Sequence, residues 1–238
     1  VKSTRKIDLT FAKMYLVPIQ QIIGFNIGPV PIMNISGYGN IDIKTQGTIK
    51  DAQIFGEFEA FNASAEIAGL NTKLTNGDCK LIFDNRNLIF KAIEGKMDGG
   101  NFLLTGMGNT KGEVSLNAKI KNVRTHNILR IFNNSHVTKP YSKITKNVAA
   151  ASGITDADIN LVGTIANWED EEFLSKLNLS GVITLKNNKI VLNNKMAAQK
   201  INGFLNFGQK QEGNFELYLN NSKINANFQS KTPLEKIA

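Results

Sequence analysis

A single cysteine, Cys79, stands in 238 residues, so no disulfide can close within the chain and no cysteine-rich metal site can form. Its place in step with Leu81 and Phe83 marks it as a small buried hydrophobe rather than a reactive thiol. The two histidines, His126 and His136, have no acidic or cysteine ligand beside them, and no metal centre is expected. No run of about 18 apolar residues occurs, which leaves no segment to cross a bilayer as a helix. Arginine is scarce, and specific base readout leans on arginine. The one basic segment with an aromatic, Lys139, Tyr141, Lys143 and Lys146, is read as facing anionic lipid headgroups or water, and nucleic acid is not expected as a partner. The opening Val1-Lys2-Ser3-Thr4-Arg5 has neither an initiator Met nor an apolar signal core, so the expectation is a piece of a longer chain.

Reactive constellations are missing too. Asp156 and Asp158 read as part of a turn into a strand rather than a carboxylate pair, and Glu169 to Glu172 as a solvated helix entry or loop. Asp98-Gly99-Gly100 and Gly106-Met107-Gly108 lack the spacing, lysine and following helix of a phosphate-cradling loop, and read as turns. No nucleophile, base and orienting group converge, so no catalytic residue, no cofactor and no enzyme activity are expected.

What the chain does have is lysine, phenylalanine and period-two alternation. Lys and Arg number 28 against 20 Asp and Glu, a net charge of +8. The bland reading spreads the lysines along wet strand faces and edges; the sharper one directs them to an anionic surface. Between Gly77 and Gly106 the apolar residues alternate in short runs: Cys79, Leu81, Phe83; Leu88, Phe90, Ala92; Phe102, Leu104. Asn76-Gly77-Asp78, Asp84 to Asn87 and Asp98 to Gly100 supply residues that tolerate positive φ in tight turns, so the stretch reads as a β-meander. Val114, Leu116, Ala118 and Ile120 alternate just as cleanly.

The fold class is therefore mostly β, and the reading divides the chain in four. Residues 1–36 hold the end of a preceding β module, with Ile7, Leu9 and Phe11 in a strand, plus a short helical connector around Pro18. Residues 37–123 form a first meander module and 158–238 a second. Residues 124–157 form a helical insert, on the spacing of Ile128, Leu129, Ile131, Phe132, Ile144 and Val148 to Ala151. The two strand regions echo each other: Gly47 matches Gly163, Gly56 matches Gly181 and Gly77 matches Gly203, ~120 residues apart, as in two copies of one module.

The segment Gly181-Val182-Ile183-Thr184-Leu185-Lys186-Asn187-Asn188-Lys189-Ile190-Val191-Leu192 reads as a hairpin with an Asn-Asn centre, followed by Ile201-Asn202-Gly203-Phe204-Leu205-Asn206-Phe207. Together with Leu81, Phe83, Leu88, Gly95, Asp98-Gly99-Gly100, Phe102, Leu104 and Gly106, it resembles the β-repeat signature of the AsmA-like superfamily of bacterial envelope proteins. That resemblance implies long curved antiparallel sheets of repeated modules forming a groove, with short helices between them. It also implies a periplasmic location, tethering to the inner membrane by an N-terminal helix outside this sequence, and movement of phospholipid between inner and outer membranes.

The residues supply a mechanism for that role. A curled sheet with one uncovered apolar face takes up acyl chains at about 25 cal/mol per Å² removed from water while headgroups stay at the wet rim. The candidate lipid-contact residues are Leu81, Phe83, Phe102, Leu104, Val114, Leu116, Ile120, Phe215, Leu217, Leu219, Ile224 and Phe228. The competing readings are that these form an ordinary core between two sheets, or that the chain is a non-catalytic, protein-binding β scaffold of the envelope.

Overall fold

The computed structural model describes residues 6–8, 32–47, 53–67, 72–134, 145–164, 177–208 and 211–230. They form one antiparallel sheet of twelve strands whose order in space is their order in the chain. The strands are β1 (Lys6–Asp8), β2 (Ile32–Gln46), β3 (Gln53–Ile67), β4 (Thr72–Asn85), β5 (Asn87–Met97), β6 (Gly100–Asn109) and β7 (Glu113–Arg124). After the helix α1 (Thr125–Asn134) come β8 (Val148–Thr164), β9 (Leu177–Leu192), β10 (Ala197–Phe207), β11 (Gln211–Leu219) and β12 (Ser222–Ser230). β1 pairs only with β2 and β12 only with β11, so the sheet does not close into a barrel.

The alternation read from the sequence sets the faces. Directly opposed residues in antiparallel strands point the same way, and the register lines up Phe58, Leu81, Phe90, Gly106, Leu116, Leu161 and Leu179 across β3 to β9. A second row runs Phe102, Ile120, Ala157, Ile183, Leu205, Gly213 and Phe228 across β6 to β12. One face is thus apolar from one side of the sheet to the other. The opposite face carries most of the charge, with cross-strand pairs such as Lys80 with Glu59 at 2.6 Å and Lys223 with Glu216 at 2.8 Å; Ile82 and Leu103 interrupt it.

Bulges recur near the end of the sheet where β7 runs into α1, called here the helix end. Asn62, Asn76, Asn122, Asn187 and Lys200 all take positive φ at register shifts in their strands. Each adds local twist and bends its strand. The neighbouring strand satisfies the bulged amide in three of them: Asn62 N–H donates to Asp78 Oδ1 (3.1 Å), Asn122 N–H to Asp156 Oδ1 (2.8 Å) and Asn187 N–H to Asn202 Oδ1 (2.8 Å).

Several sequence expectations change here. Asn76-Gly77-Asp78 and Leu185 to Ile190 are not reversals but bulged positions inside β4 and β9. A two-residue type I′ turn needs positive φ twice, and in Asn187-Asn188 only Asn187 has it. Asp98-Gly99 and Asn220-Asn221 do have it twice, and both reverse the chain. Gly106-Met107-Gly108 lies within β6, and Gly153 to Asp156 within β8, rather than in turns. The insert expected over 124–157 is helical at Thr125–Asn134 and at Thr145 among the described residues; Val148 to Ala157 belong to β8. Pairing with β9 along most of β8 overrides the helix propensity of Ala149 to Ala151. Lys6–Asp8 pairs with β2 in the same sheet rather than with a preceding one, and Leu9, Phe11 and the connector around Pro18 lie outside the described residues.

Gly106 shows how close the strands come. It has φ +137°, and a Cβ there would sit 2.2 Å from the Ser115 carbonyl oxygen. Gly106→Ala is therefore expected to destabilise the fold by about 2 kcal/mol or more, since backbone must move to admit the methyl group. A shift in the denaturant midpoint checks this; an unchanged midpoint would mean the strand relaxes freely.

Candidate apolar trough

All twelve residues singled out in the sequence fall on the apolar face. Val114 is buried, Leu81, Phe83, Phe102, Leu104, Leu116, Ile120, Phe215, Leu217 and Leu219 are half-buried, and Ile224 and Phe228 on the edge strand are exposed. Phe58, Phe90, Leu161, Leu179, Ile183 and Leu205 share the face and are also half-buried. Their alternation was readable in the sequence; their register with the twelve was not.

What covers this face decides between core and trough. Among the described residues each strand packs on its sequence neighbours, and α1 packs on β7 and β8; no second sheet lies over the first. Apolar side chains pointing to the opposite face, such as Met107 and Val162, stay 48% and 47% exposed. Others there, Ile82, Ile89 and Leu103, are half-buried; side chains that shield one another on the inside of a curved sheet reach this degree of burial without a second layer.

α1 closes the helix end of this face. Arg124 leads directly into the helix, and the Thr125 hydroxyl lies 2.9 Å from that of Thr155 and also donates to Asn188 Oδ1. Asn188 has no exposed surface, and its amide donates to the carbonyls of Ile154 (2.8 Å) and Lys186 (3.2 Å). Val123 is also at 0% exposure, and Met97 and Ile201, toward the same end of their strands, are buried. Asp98 pins the helix, its backbone carbonyl accepting from Asn127 Nδ2 (3.0 Å) and its carboxylate from Arg130 (2.7 Å).

Cys79 is half-buried on the apolar face, and burial pushes its thiol up to about 12. No metal-holding cluster occurs among the described residues, and none of their helices is long and apolar enough to cross a membrane. His126 is exposed on α1; His136, Lys139, Tyr141, Lys143 and Glu169 to Glu172 lie outside the described residues.

Asp156, which holds the Asn122 bulge, is the group whose titration bears on the sheet. Burial raises its carboxyl, but the Asn122 amide, the Lys186 ammonium and the field of Lys121 together hold it below the ordinary aspartate range. The unfolded chain then binds this proton more readily than the folded one. The contribution is complete above the ordinary range and fades as pH falls through the native value. Melting followed against pH is expected to show this acid loss, and Asp156→Asn to flatten it; an identical acid profile in the variant would remove Asp156 from the account.

Comparison with protein-family models, with curated proteins and with solved structures finds no match for this chain. The trough stands on its own geometry.

Proposed function

We propose that this chain is a lipid-transfer module of the AsmA-like kind, periplasmic and belonging to a parent chain tethered to the inner membrane, carrying phospholipid along its apolar face between inner and outer membranes and so supporting outer-membrane homeostasis. The observation that carries the reading is the apolar face of the twelve-stranded sheet, followed in register from β3 to β12, with no second sheet on it among the described residues. Each methylene moved from water onto such a surface contributes about 0.8 kcal/mol. Eleven strand spacings of ~4.8 Å give a path of about 50 Å, against the ~15 Å of one leaflet's hydrocarbon. Several acyl chains can therefore lie in file, with headgroups at the rim. The step is binding and sliding, with no bond made or broken.

A second reading, a protein-binding scaffold, draws on β12. Its nine-residue ladder with β11 runs without a bulge, and β12 is the last strand of the sheet among the described residues, which suits strand addition. Native mass spectrometry of the chain purified without detergent separates the two. Phospholipid adducts are expected; their absence over repeated preparations would favour the scaffold.

A further inference from the structure

The charge on the second half of the sheet is uneven from end to end. Among the described residues, Lys111, Glu113 and Glu212 stand at the far end of β7 to β12, close to balance. At the helix end of the same strands, Lys186 and Lys223 are engaged by Asp156 and Glu216, whereas Arg124, Lys146, Lys189, Lys195 and Lys200 make no ion pair among the described residues. The Lys200 ammonium instead sits 5.2 Å from the Tyr218 ring centroid.

Next to Lys195 stands an exposed apolar side chain. Met196, in the β9–β10 turn, is 53% exposed. The turn is held: Leu192 N–H donates to the Met196 carbonyl (2.8 Å) and Met196 N–H to Asn194 Oδ1 (3.0 Å). Asn193 ties it to the chain ahead of β8, donating to the Lys146 carbonyl (2.9 Å) and the Asn147 carbonyl (3.0 Å). Beside it an open cleft of about 540 Å³ is lined by Lys195, Asn194, Tyr218, Asn220 and Asn221. The apolar face of β11 and β12 ends next to this cleft, at Leu219 and Ile224.

We propose that this end of the sheet docks on an anionic membrane surface, with Met196 entering the headgroup layer, Lys146, Lys195 and Lys200 meeting lipid phosphates, and the rim of the trough at β11 and β12, beyond the strands that α1 covers, brought to the bilayer. A cationic cluster with an exposed apolar residue beside Lys195 matches the charge and layering of an anionic leaflet, where each lysine near the surface adds to binding. Nucleic acid is the less favoured occupant, since among the described residues the cluster offers one arginine, Arg124, and one aromatic ring, Tyr218, which Lys200 already covers. The docking takes its purpose from the lipid-transfer reading, but the binding itself does not require a loaded trough.

Flotation of the 238-residue chain with phosphatidylcholine vesicles, with and without phosphatidylglycerol, is the test. Binding is expected only with the anionic lipid, lost at high salt, and weakened about 100-fold by the triple variant K146E/K195E/K200E. The far-end variant Lys111→Glu is expected to float like the parent. Equal binding to both vesicles, no binding, retention by the triple variant, or preference for an RNA oligonucleotide over the vesicles would each overturn the proposal. Native mass spectrometry keeps the two readings apart: the triple variant is expected to retain its phospholipid adducts, whereas flotation by a chain that never carries lipid would overturn the trough and leave the docking.

Discussion

Replacing Leu116 and Leu217 with aspartate is expected to abolish phospholipid adducts in native mass spectra while leaving a cooperative melt. Leu116 stands opposite Gly106 and Leu161, and Leu217 opposite Ile224, in the register of the apolar face. Both are half-buried, with no second layer of the described chain above them. A carboxylate on an open face keeps its water, and the loss per site should stay near 1 kcal/mol, mostly from forfeited cross-strand contact. The same carboxylate inside a packed core would cost several kcal/mol or force protonation. Two charges along the path also meet any acyl chain that lies there. Collapse of the melt in both single variants would mean that these positions are core, and the trough would fall with it.

The largest effect on stability is expected at Asn188. Its side chain accepts from the Thr125 hydroxyl and donates to two carbonyls, all without access to water on its own surface. Asn188→Ala strands these partners and opens a small void, at a cost of about 3 kcal/mol. Because Thr125 is the first residue of α1, the loss should fall first on helix docking, and hydrogen exchange in Thr125–Asn134 should accelerate before exchange in β3 or β4. A double-mutant cycle with Thr155→Val is expected to be non-additive, since both residues meet at the Thr125 hydroxyl. Additive losses and uniform exchange would show that the cluster does not hold the helix.

Faces were legible in the sequence and turns only in part, for a physical reason. Alternation is local: Val114, Leu116, Ala118 and Ile120 announce their side of the sheet without knowing their neighbours. Which residues stand opposite each other depends on bulges and pairing partners far away in sequence. Asparagine is ambiguous in the same way, because tolerance of positive φ serves a reversal at Asn220-Asn221 and a bulge at Asn187 equally. β8 is the opposite failure, a local helical pattern at Val148 to Ala151 overruled by β9. The half-buried Thr125 and the buried Thr155 and Asn188 carried no signal, since separated polar residues read as wet positions until the structure brings them together.

The chain-order topology of the sheet has one more consequence. Because each strand pairs with the strands beside it in sequence among the described residues, inserting or removing a hairpin away from α1 rewires no other strand pairing. Two strands at a time preserve both the up-down direction and the apolar side, whereas a single strand would reverse the direction of all that follow. Length is therefore an adjustable property of this architecture in steps of about 10 Å, and a gap between two surfaces can be matched by counting hairpins.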